Sequence, residues 1–154
     1  MQPNPSTTQD FDDLDDLFQE LFTLEEWETE LMTEYPSLFS SSDMQEQGLK
    51  CGEGWDGLIR EICEELKGKD VVFSQIKEKF GQLRIYVEEG DEETLRYLLE
   101  MEEKSAKVCE ECGAAGNLAE SYGWLFATCE ECAKKGRREY KWVEDVQKER
   151  NWED

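Results

Sequence analysis

Four of the six cysteines in this chain of 154 residues have the type and spacing to bind a metal. Cys109 and Cys112 form one C-x2-C pair, Cys129 and Cys132 a second, and sixteen residues separate the pairs. Zinc takes four thiolates in a tetrahedron, and a two-residue spacer lets one tight turn supply two of them. Gly113 follows the first pair, where a glycine relieves the backbone of such a knuckle. Thr128 precedes the second pair as a candidate helix cap. That would set Cys129 and Cys132 on a first helical turn, where the dipole favours thiolate charge. The pattern predicts one structural Zn2+ held by Cys109, Cys112, Cys129 and Cys132.

Two other readings stay open for these cysteines: unrelated buried thiols, and a redox C-x2-C. The second lacks a thioredoxin-like strand–helix context and does not explain two copies at ligand spacing. The chain has no histidine. Four thiolates leave no coordination position for a reactive water, and the usual nucleophile–base pairs are missing. The expectation is a non-enzymatic protein. Cys63 falls on the apolar face of a predicted helix and reads as a small buried hydrophobe. Cys51 sits in a predicted loop, and whether it reaches the zinc is open.

Charge gives two further candidate sites. The chain carries 39 acids against 17 bases, a net charge of −22. A field of that sign repels nucleic acid backbones and anionic membranes and attracts basic partner surfaces. Residues 1–50 hold 13 acids and one base, whereas residues 107–141 balance six against six. Within the acidic third, Phe11, Asp12, Asp13, Leu14, Asp15, Asp16, Leu17, Phe18, Leu21 and Phe22 interleave carboxylates with apolar side chains at helical spacing. Such a segment suits a partner's groove, or imitates a phosphate backbone. The alternative is a helix that packs on its own domain. The second candidate is basic: Lys134, Lys135, Arg137, Arg138 and Lys141, beside Tyr140 and Trp142. It reads either as nucleic-acid contact or as a charged surface helix that offsets nearby acids. Glu110, Glu111, Glu130 and Glu131 flank the cysteines and read as a solvated face. Gly52-Glu53-Gly54 is no phosphate loop, because it lacks the basic residue and the preceding strand.

The elements that must position these residues follow from the hydrophobic pattern. After a disordered start at residues 1–9, the acidic stretch continues through a capping box at Thr23 and Glu26 into Leu24, Trp27, Leu31 and Tyr35, and Pro36 ends it. Ser40 to Gly48 reads as a polar linker, with the compact part starting near Leu49. Trp55, Leu58, Ile59, Ile62, Cys63 and Leu66 mark a helix stopped at Gly68. Val71–Lys79 and Gln82–Glu88 read as a hairpin turning near Phe80–Gly81. Asp91 caps a further helix over Leu95, Leu98, Leu99 and Glu102. A short hairpin, Asn117–Ala119 and Trp124–Thr128, joins the two cysteine pairs, and residues 133–150 read as helix. The division expected is 1–48 acidic helical arm and linker, 49–107 an α-β-β-α domain, and 108–154 a four-cysteine zinc module with a C-terminal helix. The fold class is α+β. No membrane-spanning run and no secretory signal are present in the sequence, which implies a cytoplasmic protein.

Knuckle, hairpin and helix in that order resemble a treble-clef zinc finger over residues 108–140. A wider resemblance rests on Leu31-Met32-Thr33-Glu34-Tyr35-Pro36-Ser37-Leu38-Phe39, Cys51-Gly52-Glu53-Gly54-Trp55, Lys77-Glu78-Lys79-Phe80-Gly81, Leu83-Arg84 and the cysteines. In this order the motifs resemble a family of small uncharacterised proteins from tailed phages and bacterial genomes, over residues 31–135. The resemblance implies a phage or prophage origin, supports the zinc assignment and implies no activity. The Asp-rich start lies outside it. The leading expectation is a zinc-binding interaction protein that binds or inhibits a host protein through acidic surfaces. The alternative is a nucleic-acid-binding zinc finger using the basic helix 134–142.

Overall fold

A computed structural model describes residues 24–136 and 139–145. The acidic segment Phe11–Phe22, the capping role of Thr23, Arg137, Arg138 and the helix expected beyond residue 145 lie outside the described residues. The fold is mixed α+β with two small antiparallel sheets and a cysteine cluster.

Helix α1 runs Glu26–Glu34. Its N-terminus is fixed by Glu28, which accepts from the Glu25 N–H at 2.7 Å and from the Leu49 N–H at 2.8 Å. The capping residues therefore sit two positions later than the Thr23–Glu26 pairing predicts. Ser40–Gly48 is no linker. Ser41 caps a second helix, α2 (Ser42–Gln47), by accepting from the Met44 N–H, and its own hydroxyl donates to the Phe73 carbonyl at 2.8 Å. The compact unit accordingly starts well before Leu49. Trp27, Leu31, Leu38, Phe39 and Met44 are buried in the same cluster as Trp55, Ile59, Ile62 and Phe73. The reason is apolar area: each such side chain removed from water contributes about 1.5–3 kcal/mol. Phe39 meets Phe73 edge-on, with ring centroids 5.2 Å apart.

A 3-10 turn, Glu53–Trp55, leads into α3 (Asp56–Leu66), whose apolar stripe is buried as its spacing predicts. Strands β1 (Phe73–Lys79) and β2 (Gln82–Val87) pair antiparallel, with a bulge near Ser74. Their two-residue turn has φ of 55° at Phe80 and 77° at Gly81, the left-handed pair that matches strand twist. Neither sheet edge is left bare. The Lys50 N–H donates to the Ile76 carbonyl at 2.9 Å, and the Glu78 N–H to the Lys50 carbonyl at 3.0 Å, on the β1 side. Helix α4 (Glu92–Ser105) lies along β2. Ser105 Oγ accepts from the Leu83 N–H at 2.8 Å and Glu102 Oε2 from the Ile85 N–H at 3.1 Å. Leu98 and Met101 of α4 face the core, whereas Leu95 and Leu99 are exposed.

The cysteine segment follows. Strands β3 (Asn117–Ser121) and β4 (Trp124–Thr128) form a second hairpin, and α5 is short, Glu130–Lys135. The helix expected over 133–150 is interrupted: residues 133–135 close α5 and 143–145 are helical again, with a strand between them. Gly136 ends α5, and Lys141–Trp142 form strand β5, paired with β3 through Ala119↔Trp142 and Glu120↔Lys141. A free strand edge on β3 and the aromatic Trp142 outweigh the weak helical pattern. Among the described residues no helix is long and apolar enough to cross a membrane.

Candidate metal centre

The first cysteine pair lies in a loop closed by two backbone bonds at its base. The Cys109 N–H donates to the Ala114 carbonyl and the Gly116 N–H to the Lys107 carbonyl, each at 2.8 Å. The Gly113 N–H returns to the Cys109 carbonyl at 2.9 Å, which demands the left-handed φ of 81° that Gly113 adopts. The second pair opens α5. Thr128 is the last residue of β4, and the cap is Cys129 itself, whose sulfur accepts from the Cys132 N–H at 3.4 Å. The β3–β4 hairpin spans the sixteen-residue gap and returns Cys129 beside the knuckle.

All four sulfurs fall within 4.8 Å of one another, and Cys112 Sγ stands 3.6 Å from Cys129 Sγ. A tetrahedral ion with metal–sulfur bonds near 2.3 Å has sulfur–sulfur edges of about 3.8 Å, so this spacing fits one thiolate-bound ion. Cys51 and Cys63 are not in the group. Cys63 is fully buried in the core cluster, and burial pushes its thiol up to about 12. Cys51 is half-buried, and burial first, then Glu110, Glu28 and Glu78, holds its thiol far above the ordinary range.

The electrostatics of the cluster point the same way. Burial opposes a charge on Cys109, but N–H groups of Cys112, Cys129 and Glu111 directed at its sulfur outweigh that and lower it to about 7. Burial and the neighbouring sulfurs raise Cys132. Cys112 also ends up raised: the Ala114 N–H lowers it, but the Cys129 and Cys109 sulfurs overcome that. Four sulfurs this close cannot all ionise beside one another without a cation among them.

The first knuckle is held from outside by a motif whose role the sequence did not disclose. The Gly54 N–H donates to the Glu110 carbonyl at 2.7 Å, and the Gly52 N–H to Glu110 Oε2 at 2.8 Å. Trp55, fully buried, donates its indole N–H to the Val108 carbonyl at 2.9 Å. A Cβ on Gly54 would fall 2.3 Å from the Cys109 carbonyl oxygen, and one on Gly52 2.4 Å from that of Glu110. Cys51-Gly52-Glu53-Gly54-Trp55 is therefore a clamp on the knuckle, and its two glycines allow backbone to lie on backbone. Glu110 is consequently no part of a solvated face. It is half-buried, and burial raises its carboxyl while the Gly52 N–H pulls it back. Glu111, Glu130 and Glu131 are exposed.

The predicted basic cluster does not share one helix. Lys134 and Lys135 end α5, with Lys134 paired to Glu130 at 2.9 Å, and Lys141 lies on β5. Exposed aromatic side chains occur instead at the hairpin tips: Phe80, Tyr122 and Trp124. No family model, no curated protein and no solved structure matches this chain.

Proposed function

We propose that Cys109, Cys112, Cys129 and Cys132 hold one structural zinc ion in a treble-clef-like module, and that the chain is a non-enzymatic interaction protein. The observation that carries the reading is the closed set of four sulfurs within 4.8 Å. A site of four thiolates offers stability rather than a reactive position. Zinc suits it, since soft thiolate donors at tetrahedral spacing select that ion over the oxygen-seeking divalent cations.

The partner, on this reading, is a host protein of a phage or prophage, bound or inhibited through the chain's acidic side chains. The support is the charge of −22 and the run of Asp, Leu and Phe at residues 10–22, which suits a basic groove or a nucleic-acid-binding surface. The alternative is nucleic-acid contact through Lys134, Lys135, Arg137, Arg138 and Lys141; of these, Lys134 and Lys135 end α5 and Lys141 lies on β5 rather than on one shared helix.

The test is a pair of measurements on the full chain. Elemental analysis of protein purified without added metal is expected to give one zinc per chain, and none after Cys112→Ser with Cys129→Ser. A pull-down from nuclease-treated bacterial lysate is then expected to capture a stoichiometric protein. Capture should be lost when Asp12, Asp13, Asp15 and Asp16 are changed to Asn. Truncation at residue 48 would be the wrong comparison, because Leu31, Phe39 and Met44 are part of the core. Equal capture by wild type and the Asn variant would sink the acidic-segment reading.

A further inference from the structure

Antiparallel register sorts the side chains of the β1–β2 hairpin onto two faces. Ile76, Ile85 and Leu83 face the core. The directly opposed pairs Gln75↔Tyr86, Lys77↔Arg84 and Lys79↔Gln82 share the other face. Lys50 bridges in parallel to Lys77 and extends the row by one residue. The outer face thus carries Lys50, Lys77, Lys79 and Arg84 and no carboxylate at these register positions. Tyr86 and Phe80 complete it, each with a lysine ammonium over its ring, at 5.6 and 5.5 Å. In a chain with more than two acids per base, a cation without a carboxylate partner is unexpected. Yet among the described residues no carboxylate oxygen lies within 4.0 Å of Lys50, Lys77 or Lys79. Arg84 approaches Glu102 only at 3.9 Å.

The path of the chain says what could cover this face. Glu28 holds the start of α1 against Leu49, one residue from Lys50. A Cβ on Gly48 would fall 2.3 Å from Leu24 Cδ2, so Leu24 too lies beside this edge. The described fold begins at that corner with Leu24, and residues 10–22 precede it in the sequence by one residue, Thr23. They contain Asp10, Asp12, Asp13, Asp15, Asp16 and Glu20, no basic residue, and six large apolar side chains. Thirteen residues span about 20 Å at helical rise or about 45 Å extended. Strands of six and seven residues are about 20 Å long, so the segment is long enough to cross the face.

We propose that the outer face of the β1–β2 hairpin is the intramolecular docking site of residues 10–22. The carboxylates pair with Lys50, Lys77, Lys79 and Arg84, and apolar side chains of the segment lie against Tyr86 and Phe80. A tethered segment acts at an effective concentration on the order of millimolar, so modest contacts suffice. A partner that takes residues 10–22 must then displace them from this face and uncovers it in doing so. This regulation rests on residues 10–22 being the partner-binding element; the docking itself does not require a partner.

Zero-length carbodiimide coupling of the zinc-loaded full chain, followed by peptide mass spectrometry of the monomer band, tests the docking. The expected result is amide links from Lys50, Lys77 or Lys79 to the carboxylates of residues 10–20. The Lys50 links should fall at least threefold in Lys77→Gln/Lys79→Gln, and also when salt is raised from 50 to 500 mM. Absence of such links overturns the proposal. Links found only in a dimer band assign the face to a second copy and overturn it as well. So does tight binding of a labelled single-stranded oligonucleotide by the full chain that is lost in Lys77→Gln/Lys79→Gln. No lysate partner enters this experiment, so its failure and that of the partner reading are separate results.

Discussion

At the scale of single residues, the glycines of the knuckle clamp make the sharpest test. Gly54 and Gly57 are three positions apart, but their surroundings differ. A Cβ at 54 would meet backbone atoms of Cys109 and Glu110 at 2.3 to 2.5 Å, whereas nothing lies within 4 Å of one at 57. Backbone cannot step aside as a side-chain tip can, so Gly54→Ala is expected to cost about 2 kcal/mol or more in denaturant unfolding of the zinc-loaded protein. Gly57→Ala, in the first turn of α3, should instead stabilise by about 0.5–1 kcal/mol. Equal effects would mean that the clamp does not pack as described. A second residue-scale prediction concerns Tyr35, whose hydroxyl donates to Glu64 at 2.5 Å. The bond to Glu64 raises Tyr35 to about 12, and the Tyr35 hydroxyl, then Lys67, lowers Glu64. A lowered carboxyl contributes stability above its unfolded value, near pH 4.5, that is lost as pH falls. A raised phenol contributes stability below pH 10 that is lost as pH climbs through 12. Tyr35→Phe should therefore lower the melting temperature most between about pH 5 and 10, with the gap to wild type narrowing in acid. A gap that stays as large when the pH falls well below about 4.5 would place the effect in packing alone.

At the scale of elements, the division between what the sequence disclosed and what it hid follows from the range of the interactions. Helix α3, the β1–β2 hairpin and α4 are written in local terms: a 3.6-residue apolar stripe over Trp55–Leu66, a left-handed turn at Phe80–Gly81 and a cap at Asp91. The cysteine pairs are readable for the same reason, since each C-x2-C is a turn. What could not be read are elements fixed by distant partners. Helix α2 exists because Ser41 caps it and also reaches Phe73, thirty-two residues on. Strand β5 exists because β3 offers it an edge. The clamp joins residues 52–55 to 108–110, and two glycines in a five-residue motif were its only trace. The way α4 covers β2 is equally invisible in sequence and gives a prediction. Ser105 is fully buried and accepts from the Leu83 N–H on the outer edge of β2. Ser105→Ala leaves that N–H buried without a partner, and an orphaned buried donor costs about 1–3 kcal/mol. Chemical denaturation should show this loss, accompanied by faster amide exchange at Leu83. Undiminished protection at Leu83 would show that the edge does not depend on α4.

At the scale of the whole molecule, the four-cysteine cluster and the remaining core are mechanically joined. Residues 52–55 clasp the first knuckle, and a Cβ on Gly81, at the tip of the β1–β2 hairpin, would meet Leu118 Cδ2 at 2.5 Å. Ala127 of β4 is buried in the same cluster as Trp27, Phe39 and Ile62. Removal of a metal held by the two cysteine pairs is expected by itself to cost much of the fold of the C-terminal third. These contacts argue for more. A structural zinc in a small finger contributes about 10–16 kcal/mol, while a whole domain is stable by about 5–15 kcal/mol. If even part of that metal contribution is felt through the clamp, the apo chain lacks the margin to keep the rest folded. Chelation is therefore expected to lower a single melting transition for the entire chain by tens of degrees, and re-addition of one equivalent of zinc to restore it. Hydrogen exchange followed by mass spectrometry locates the effect. After chelation, peptides covering Phe73–Val87 should lose protection together with those covering Cys109–Cys132. A hairpin that stays protected while only the cysteine segment opens would show that the clamp transmits nothing, and that the two parts are independently stable.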